Sequence, residues 1–234
     1  MALSHSPKIV TDGLVLCLDA GDGKSYGGSG STWTDRSGSD YDGTLVNGAA
    51  FNSNDKSVEL DGTNDCIDLG SDITIKTSGG WTVDSWVKYD NVPAGYNNTT
   101  APGNFIGAQS ISYNSWYWSA LNNKLALWNM SPGTWRYGST TLQANTWYNA
   151  VLVCQDSGTS YQMYLNGLAE GGNHTTYASW SASHSGLKIR WIGRGSTGNP
   201  RQVDGAFATT RAYNKVLTAD EILQNYNATK GRFS

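Results

Sequence analysis

TWYNAVLVCQDSGTSYQMYLNG, residues 146–167, decides the fold class of this chain. The segments 146–154 and 161–165 are rich in aromatic and β-branched residues, and Asp156-Ser157-Gly158 lies between them. Two such segments, separated by a short loop that contains glycine, predict a β-hairpin. Asn166-Gly167 then predicts the next tight turn.

Similar segments recur along the whole 234-residue sequence. They predict further strands at 14–18, 58–60, 81–89, 187–193 and 206–213. Many short strands with turn residues between them are typical of an antiparallel β-sandwich. We therefore expect an all-β fold in one domain over residues 1–234. A short arm, residues 1–11, carries Ile9 and Val10, which we expect to add an edge strand or to dock on a neighbouring protein.

One helix is predicted, near the end of the sequence. Thr218 and Glu221 have the spacing of a capping box, in which each side chain bonds the backbone amide of the other residue. Ile222, Leu223 and Tyr226 then follow at helical spacing. Gly231 is expected to end the helix in a left-handed turn.

Charge and hydropathy exclude two classes of partner. The net charge is −3, without a basic run, which argues against nucleic acid. No apolar stretch reaches the roughly 18 residues that a membrane span needs, and the first residues do not resemble a secretory signal.

We expect folding in a cytoplasm, with the three cysteines as small buried hydrophobes. A Cys17–Cys66 disulfide stays open at this point.

The aromatic stretch YNSWYW, residues 113–118, contains the first candidate binding residues. Side chains alternate between the two faces of a strand, so Trp116 and Trp118 share one face, and Tyr113 and Tyr117 share the other. We expect the tryptophans to lie in the core. The tyrosines are expected to be exposed, where a flat apolar ring with a polar tip can stack on a sugar.

Other tryptophans divide by their surroundings. Trp135 follows Ser131-Pro132-Gly133, and Trp180 stands among serines and alanines, so both are candidates for an exposed sugar-binding surface. In contrast, the strongly strand-like surroundings of Trp86, Trp147 and Trp191 predict core positions.

Nine segments in order resemble the laminin-G-like domains of the concanavalin-A-like lectin/glucanase superfamily. They are residues 15–26, 33–38, 43–51, 58–70, 81–89, 146–154, 161–167, 189–195 and 212–233. The motifs LDAGDGKSY (18–26), WTDRSG (33–38) and EILQNYNATKGRF (221–233) are most similar to the version found in structural proteins of tailed phages. The resemblance implies a concanavalin-A-like jelly roll of two antiparallel sheets with a concave face.

The same resemblance implies a function. We expect a non-enzymatic phage virion component, either a capsid decoration or head-fibre protein or a tail-fibre module, which attaches to carbohydrates or surfaces. Its partners would be other virion proteins and cell-surface glycans, and its location the virion surface. Virion symmetry is compatible with a homo-oligomer. One alternative is a purely structural protein that binds only other virion proteins.

Relatives often hold one calcium ion at the rim of the sandwich, and this resemblance implies a structural calcium site. Asp61, Asp65 and Asp204 match the aspartates of the two family motifs. Gly205 stands where relatives have a further acid, which leaves fewer of the oxygen ligands that calcium needs. The alternative is that Asp61-Gly62 forms a turn that Asp204 caps. No other cofactor is implied.

Glycoside hydrolysis is the second alternative function, and it needs two opposed carboxyl groups. Sandwich glucanases often carry Glu-x-Asp-x-x-Glu. Glu59-Leu60-Asp61 begins this pattern, but Asn64 stands at its last position. The other glutamates, Glu170 and Glu221, lie in a predicted turn and in the helix cap. Only a pair of aspartates could then supply the chemistry, and we expect no enzymatic activity.

Overall fold

The computed structural model describes residues 7–77, 79–95, 103–108, 116–129, 134–155, 160–175, 187–196 and 201–233. Tyr113 and Trp180 lie outside this set. The described residues form one α-helix, α1 (Ala219–Thr229), and sixteen strands: β1 (Leu14–Asp19), β2 (Thr32–Trp33), β3 (Gly43–Val46), β4 (Ala50–Asn52), β5 (Ser57–Asp61), β6 (Cys66–Lys76), β7 (Trp81–Tyr89), β8 (Ile106–Gly107), β9 (Trp116–Leu121), β10 (Lys124–Asn129), β11 (Thr134–Tyr137), β12 (Trp147–Cys154), β13 (Ser160–Leu165), β14 (Leu168–Thr175), β15 (Leu187–Ile192) and β16 (Asp204–Tyr213).

The larger layer is an eight-stranded antiparallel sheet, which contains the predicted hairpin. Its order is β14-β13-β12-β7-β16-β5-β4, and β1 also pairs with β16. Strands β12 and β13 pair from Ala150 with Leu165 to Cys154 with Tyr161. The turn at Asn166-Gly167 is confirmed, because both residues have positive φ, 52° and 80°, as a two-residue hairpin turn requires.

Two smaller sheets form the opposite layer. One has the order β2-β3-β6-β15-β8 and the other the order β11-β10-β9. An isolated antiparallel bridge between Asn104 and Ser119 joins the two. The hydrophobic core lies between this layer and the larger sheet, and it includes Leu16, Val83, Ile189 and Trp118. The prediction of a two-layer antiparallel sandwich is thereby confirmed.

The outer face of the larger sheet is covered by α1. Ile222 packs with Val151, Val153 and Tyr213 in a second apolar cluster, which also contains Val10. The Val10 amide donates to Asn225 Oδ1 at 2.8 Å, so this part of the arm docks on its own chain. The expectation that Val10 serves a neighbouring protein or an edge strand is therefore corrected.

The start of α1 agrees with the prediction, and its end does not. Thr218 and Glu221 form the capping box. After Thr229, however, residues Lys230–Arg232 form a 3₁₀ turn instead of a left-handed turn at Gly231. Arg232 pairs with Asp19 at 2.6 Å, and this contact holds the tail against the larger sheet.

Candidate functional site

Strands β9, β10 and β11 bring two of the predicted sugar-binding residues, Tyr117 and Trp135, onto one face of their sheet. Trp128 on β10 lies opposite Tyr117 on β9, and it also lies opposite Trp135 on β11. Directly opposed residues of antiparallel strands project to the same face, about 5 Å apart. The sequence had suggested Tyr117 and Trp135, and Trp128 between them had been missed.

Three aromatic side chains of this face are partly exposed: Trp128, Trp135 and Tyr137, together called the aromatic row. The ring centroids of Trp128 and Trp135 are 5.4 Å apart, and those of Trp135 and Tyr137 are 6.4 Å apart. The planes of Trp135 and Tyr137 differ by only 23°. Their indole and phenol faces therefore form one patch on the outer side of the smaller layer.

Tyr117 itself is buried, with 5 % of its surface exposed, which corrects the expectation of an exposed tyrosine face. The reason is a contact distant in sequence: the guanidinium carbon of Arg201 lies 4.4 Å from the centre of the Tyr117 ring. Trp118 is fully buried in the core, as predicted. The side chain of Trp116 lies outside the described residues.

Trp86, Trp147 and Trp191 had been predicted as core residues. Trp86 and Trp191 are buried, as predicted, but outside the cluster between the layers, and Trp147 is only partly buried. Trp86 is buried on the outer face of the larger sheet, where it stacks on Phe233 with centroids 4.1 Å apart. Trp147 is only partly buried, beside the same phenylalanine. Trp191 is buried on the outer face of the smaller layer, where the guanidinium carbons of Arg190 and Arg194 lie 5.1 and 4.7 Å from the centre of its ring. Their burial therefore comes from covering elements and not from the core.

The row offers hydrogen bonding as well as apolar area. Burial raises the pKa of the Tyr137 phenol, so its hydroxyl stays protonated and can donate at neutral pH. A sugar ring on the row would meet flat apolar surface with a donor at one end. Such a combination suits a pyranose, which has apolar C–H faces and polar edges.

A separate groove of about 300 Å³ lies where the β9–β10 hairpin turns. Its lining includes the amide side chains of Asn91, Asn123 and Gln143, with Val92 and Leu142 between them. Trp128 lies four residues beyond the start of β10, which is about 13 Å along the strand. The groove and the aromatic row are thus different surfaces.

The three glutamates have structural partners. Glu170 accepts hydrogen bonds from Ser139 Oγ and from the Thr140 amide and hydroxyl, and so joins β14 to the chain after β11. Glu221 accepts from the Thr218 amide at 2.8 Å. Glu59 accepts from Asn52 Nδ2. All three glutamate side chains therefore accept hydrogen bonds from nearby groups of the protein.

The three aspartates proposed for calcium lie near one another but already serve protein donors. Asp61 and Asp204 are directly opposed on β5 and β16. Asp61 accepts from the Thr63 amide at 2.8 Å, Asp65 from the Asp61 amide at 3.2 Å, and Asp204 from Asn91 Nδ2 at 2.9 Å. Within the described ranges no group of three or more His, Cys, Asp or Glu residues is arranged to hold a metal ion.

The alternative to calcium holds in part: Asp61-Gly62 forms a turn, with Gly62 at φ of 72°, but the carboxylates of Asp61 and Asp65 accept its amides, and that of Asp204 accepts from Asn91 instead. Backbone hydrogen bonds, chiefly from Thr63, lower the pKa of Asp61. Asp65 is buried, which raises the pKa of its carboxyl group, and its Oδ1 has no hydrogen-bond partner. Calcium binding at these aspartates stays a prediction.

The cysteines are all buried and free, so no disulfide joins Cys17 to Cys66. Burial raises the pKa of both thiols, which keeps them protonated at neutral pH. No helix among the described residues is long and apolar enough to cross a membrane.

Comparison with known families identifies the class of this protein. The family model Laminin_G_3, described as concanavalin A-like lectin/glucanases superfamily, matches residues 61–223. The chain therefore belongs to this family. A comparison with curated protein sequences finds no match.

Solved structures agree on the fold. A mutant of Trypanosoma rangeli sialidase displaying trans-sialidase activity superposes with a TM-score of 0.62 at 16 % identity, covering 97 % of this chain and 34 % of the sialidase. Domain 4 of AbnA, a GH43 extracellular arabinanase from Geobacillus stearothermophilus, in complex with arabinotriose, gives a TM-score of 0.61 at 16 % identity. That match covers 91 % of this chain and 98 % of the domain. The chain thus spans 34 % of the sialidase but nearly all of the arabinanase domain.

Proposed function

We propose that this protein is a non-catalytic carbohydrate-binding module, and that its glycan lies across the aromatic row. The observation that carries the proposal is the partly exposed Trp128–Trp135 pair, extended by Tyr137. Large aromatic surface left in contact with water is costly, and a sugar that covers it gains the hydrophobic free energy of that area. Trp135 and Tyr137 form the flatter part of the row, with ring planes 23° apart, and Trp128 flanks it at an angle of 51° to Trp135.

A purely structural role for the row is the main competing interpretation. Aromatic pairs across antiparallel strands stabilise a sheet by roughly 0.2–1 kcal/mol, whether or not they bind anything. The two interpretations differ in what Trp135→Ala does, because only a binding role makes glycan affinity fall far more than stability.

Two kinds of observation support carbohydrate over other ligands. The family groups lectins with glucanases, and domain 4 of the arabinanase is described in complex with arabinotriose. The partners of Glu59, Glu170 and Glu221 favour a module that binds without cleaving. A glycoside hydrolase would instead release sugar from a broad panel of polysaccharides, with or without calcium.

The test is a glycan array probed with the wild-type protein, Trp135→Ala and Trp147→Ala. Trp147 is the matched control, since it is also partly buried but lies on the larger sheet. We expect wild-type and Trp147→Ala proteins to bind the same glycans and Trp135→Ala to lose them. Equal binding by all three proteins would remove the row from the site.

The resemblance to phage structural proteins supports a finer proposal. In it, the module is displayed on the virion surface as a decoration, head-fibre or tail-fibre component, held by other virion proteins. Antibody-gold labelling of intact particles tests this location. Label on capsids or on fibre tips would support display, and particles without label would contradict it. Glycan binding on the array would stand in either case.

A further inference from the structure

Two large hydrophobic side chains near α1 are exposed to solvent. Among the described residues these are Leu168, with 68 % of its surface exposed, and Leu223, with 38 %. Leu168 begins β14, directly after the turn at Asn166-Gly167, and Leu223 lies on α1. A single exposed leucine is ordinary, but apolar side chains that join into one patch indicate an interface.

The turn at Asn166-Gly167 lies against α1 and brings the two leucines together. A Cβ atom on Gly167 would lie 3.1 Å from Leu223 Cδ1 and 3.1 Å from Tyr226 Cβ. Tyr226 is partly exposed, and because it follows Leu223 by three residues, the two share one face of the helix. Leu168, Leu223 and Tyr226 together are called the apolar patch.

The N-terminal arm contacts α1 on the side away from the apolar patch. Gln224 Nε2 donates a hydrogen bond to the Lys8 carbonyl at 2.7 Å. Gln224 and Tyr226 are two residues apart, which places them about 200° apart around the helix axis. The arm therefore runs along the opposite flank of α1, and both leucines remain exposed with the arm in place.

The helix carries opposite charges at its two ends. Asp220 lies in the first turn and Lys230 is the C-cap residue, and both are exposed. Each sign suits its own end of the helix dipole. Neither residue forms an ion pair with any described residue. A surface with an acid at one end, a base at the other and an apolar patch between them is complementary to its own copy turned by 180°.

We propose that the exposed face of α1 and the apolar patch form a two-fold symmetric contact with a second copy of this chain. A two-fold axis that crosses α1 at the level of Asn225, midway between Asp220 and Lys230, packs the two helices antiparallel. Each Asp220 then lies beside the partner's Lys230, and each Leu223 packs on the other helix. Antiparallel packing also places opposite ends of the two helix dipoles side by side. Such an isologous contact closes as a dimer.

The contact is small, so the dimer should be weak and reversible. The 11 residues of α1 span about 16 Å. A helix of this length with one turn beside it covers less than the roughly 800 Å² per partner of a standard interface. We therefore expect a dissociation constant above about 1 µM, with dimer forming as protein concentration rises.

This arrangement leaves the aromatic row of each copy open. Helix α1 covers the outer face of the larger sheet, whereas the row lies on the outer side of the smaller layer. The two rows of a dimer would lie on opposite sides, which suits cross-linking of two glycan chains. That consequence rests on the proposed carbohydrate-binding function, and the contact itself does not.

The experiment is sedimentation equilibrium over a wide range of protein concentration, at low and at high salt, with a thermal melt of each variant. Wild-type protein is compared with Leu223→Asp, with the single reversals Asp220→Lys and Lys230→Asp, and with the double reversal. Lys124→Asp is the control, because it makes the same change of charge as Lys230→Asp but lies on β10 in the smaller layer. Like Lys230, Lys124 forms no ion pair with a described residue.

We expect wild-type protein to dimerise reversibly and Leu223→Asp to stay monomeric. Each single reversal should weaken the dimer at least about tenfold, because it turns both Asp220–Lys230 contacts into contacts between like charges. The double reversal should restore most of the wild-type affinity, and Lys124→Asp should leave it unchanged. High salt should weaken the wild-type dimer.

The contrary results are equally specific. Protein that stays monomeric at every concentration would overturn the proposal and assign the patch to a different partner. A dimer that survives Leu223→Asp would place the contact elsewhere, and a double reversal that restores nothing would overturn the antiparallel arrangement. If Leu223→Asp fails to fold, Leu168→Asp replaces it, since Leu168 is more exposed. The glycan array tests carbohydrate binding separately, so either proposal can fail without the other.

Discussion

The ion pair between Arg211 and Asp84 gives the sharpest stability prediction, because a matched surface pair exists in the same chain. Arg211 Nη1 lies 3.4 Å from Asp84 Oδ2, and both side chains are 1 % exposed. Arg36 Nε and Asp22 Oδ2 are also 3.4 Å apart, but these side chains are 40 % and 42 % exposed. The two ion pairs therefore have the same nitrogen–oxygen distance and differ in the burial of their side chains.

The Arg211→Met change leaves the Asp84 carboxylate buried without its counter-ion. Removal of one partner of a buried ion pair costs about 3–5 kcal/mol. Asn149 and Asn225 still donate to Asp84, at 2.6 and 3.1 Å, so the cost should fall near the lower value. For a chain of this size 1 kcal/mol shifts Tm by about 2–4 °C, so a loss of about 6–12 °C is expected.

Arg211 is charged in the folded protein. Burial by itself lowers its pKa, and the neighbouring Asp84, with Tyr213 and Cys17, raises it by more, so the net shift is upward. The charge therefore cannot be relieved by deprotonation, and Asp84→Asn should also destabilise the fold strongly. The double variant Asp84→Asn/Arg211→Met should cost less than the sum of the single changes, since the two residues interact directly.

Urea unfolding followed by circular dichroism measures all three free energies, with Arg36→Met as the control. The control should cost less than about 1 kcal/mol, as exposed ion pairs do. If Arg211→Met costs no more than Arg36→Met, the two charges are not buried together, and the packing of α1 over this face is wrong.

Four further outcomes are expected. Thr218→Ala should cost about 1 kcal/mol in thermal unfolding, as loss of a helix cap does. A hydrogen bond from Lys215 lowers the pKa of the capping Glu221. The ionised Glu221 therefore stabilises the fold above its unfolded pKa of about 4.3, and this stabilisation is lost as pH falls through the folded pKa. If wild type remained more stable than Glu221→Gln below the folded pKa, the reasoning would be contradicted. Gly107→Ala should cost about 1–3 kcal/mol of stability, because a Cβ there overlaps the Arg194 and Gly195 carbonyls. Gly23→Ala is the control and should be neutral, because its Cβ meets no atom within 4 Å. If Asp61, Asp65 and Asp204 bind a structural calcium ion, saturating calcium should raise Tm by more than about 2 °C over its value in a chelator, and equal Tm values would contradict calcium binding.

Much of the fold could be predicted because its signals are local. The capping box of Thr218 and Glu221 needs only a spacing of three residues, and the turn at Asn166-Gly167 needs only two residues that accept positive φ. The β9–β10 hairpin had a similar signal that was missed. Its turn, Asn122-Asn123, has φ of 53° and 55°, and recognising it would have placed Trp128 opposite Tyr117.

The candidate site was harder to predict, since its decisive contacts join residues far apart in sequence. Alternation in the strand correctly separated Trp118 from Tyr117, but it could not show that Arg201, 84 positions later, covers the tyrosine. Burial of Trp86 likewise depends on Phe233 at the far end of the chain. Whether an aromatic residue in a strand is buried therefore depends on the elements that pack against it. The residue's own segment does not encode those elements.

The central claim is that Trp135 binds sugar and does not merely support the sheet. The most direct test is isothermal titration of one array-positive glycan into wild-type, Trp135→Ala and Trp147→Ala proteins, with a thermal melt of each. Loss of the Trp128–Trp135 contact should lower Tm by no more than about 4 °C, since aromatic pairs across antiparallel strands contribute roughly 0.2–1 kcal/mol. The account predicts at least a tenfold weaker Kd for Trp135→Ala and an unchanged Kd for Trp147→Ala. An unchanged Kd for Trp135→Ala, with the same small loss of stability, would contradict it.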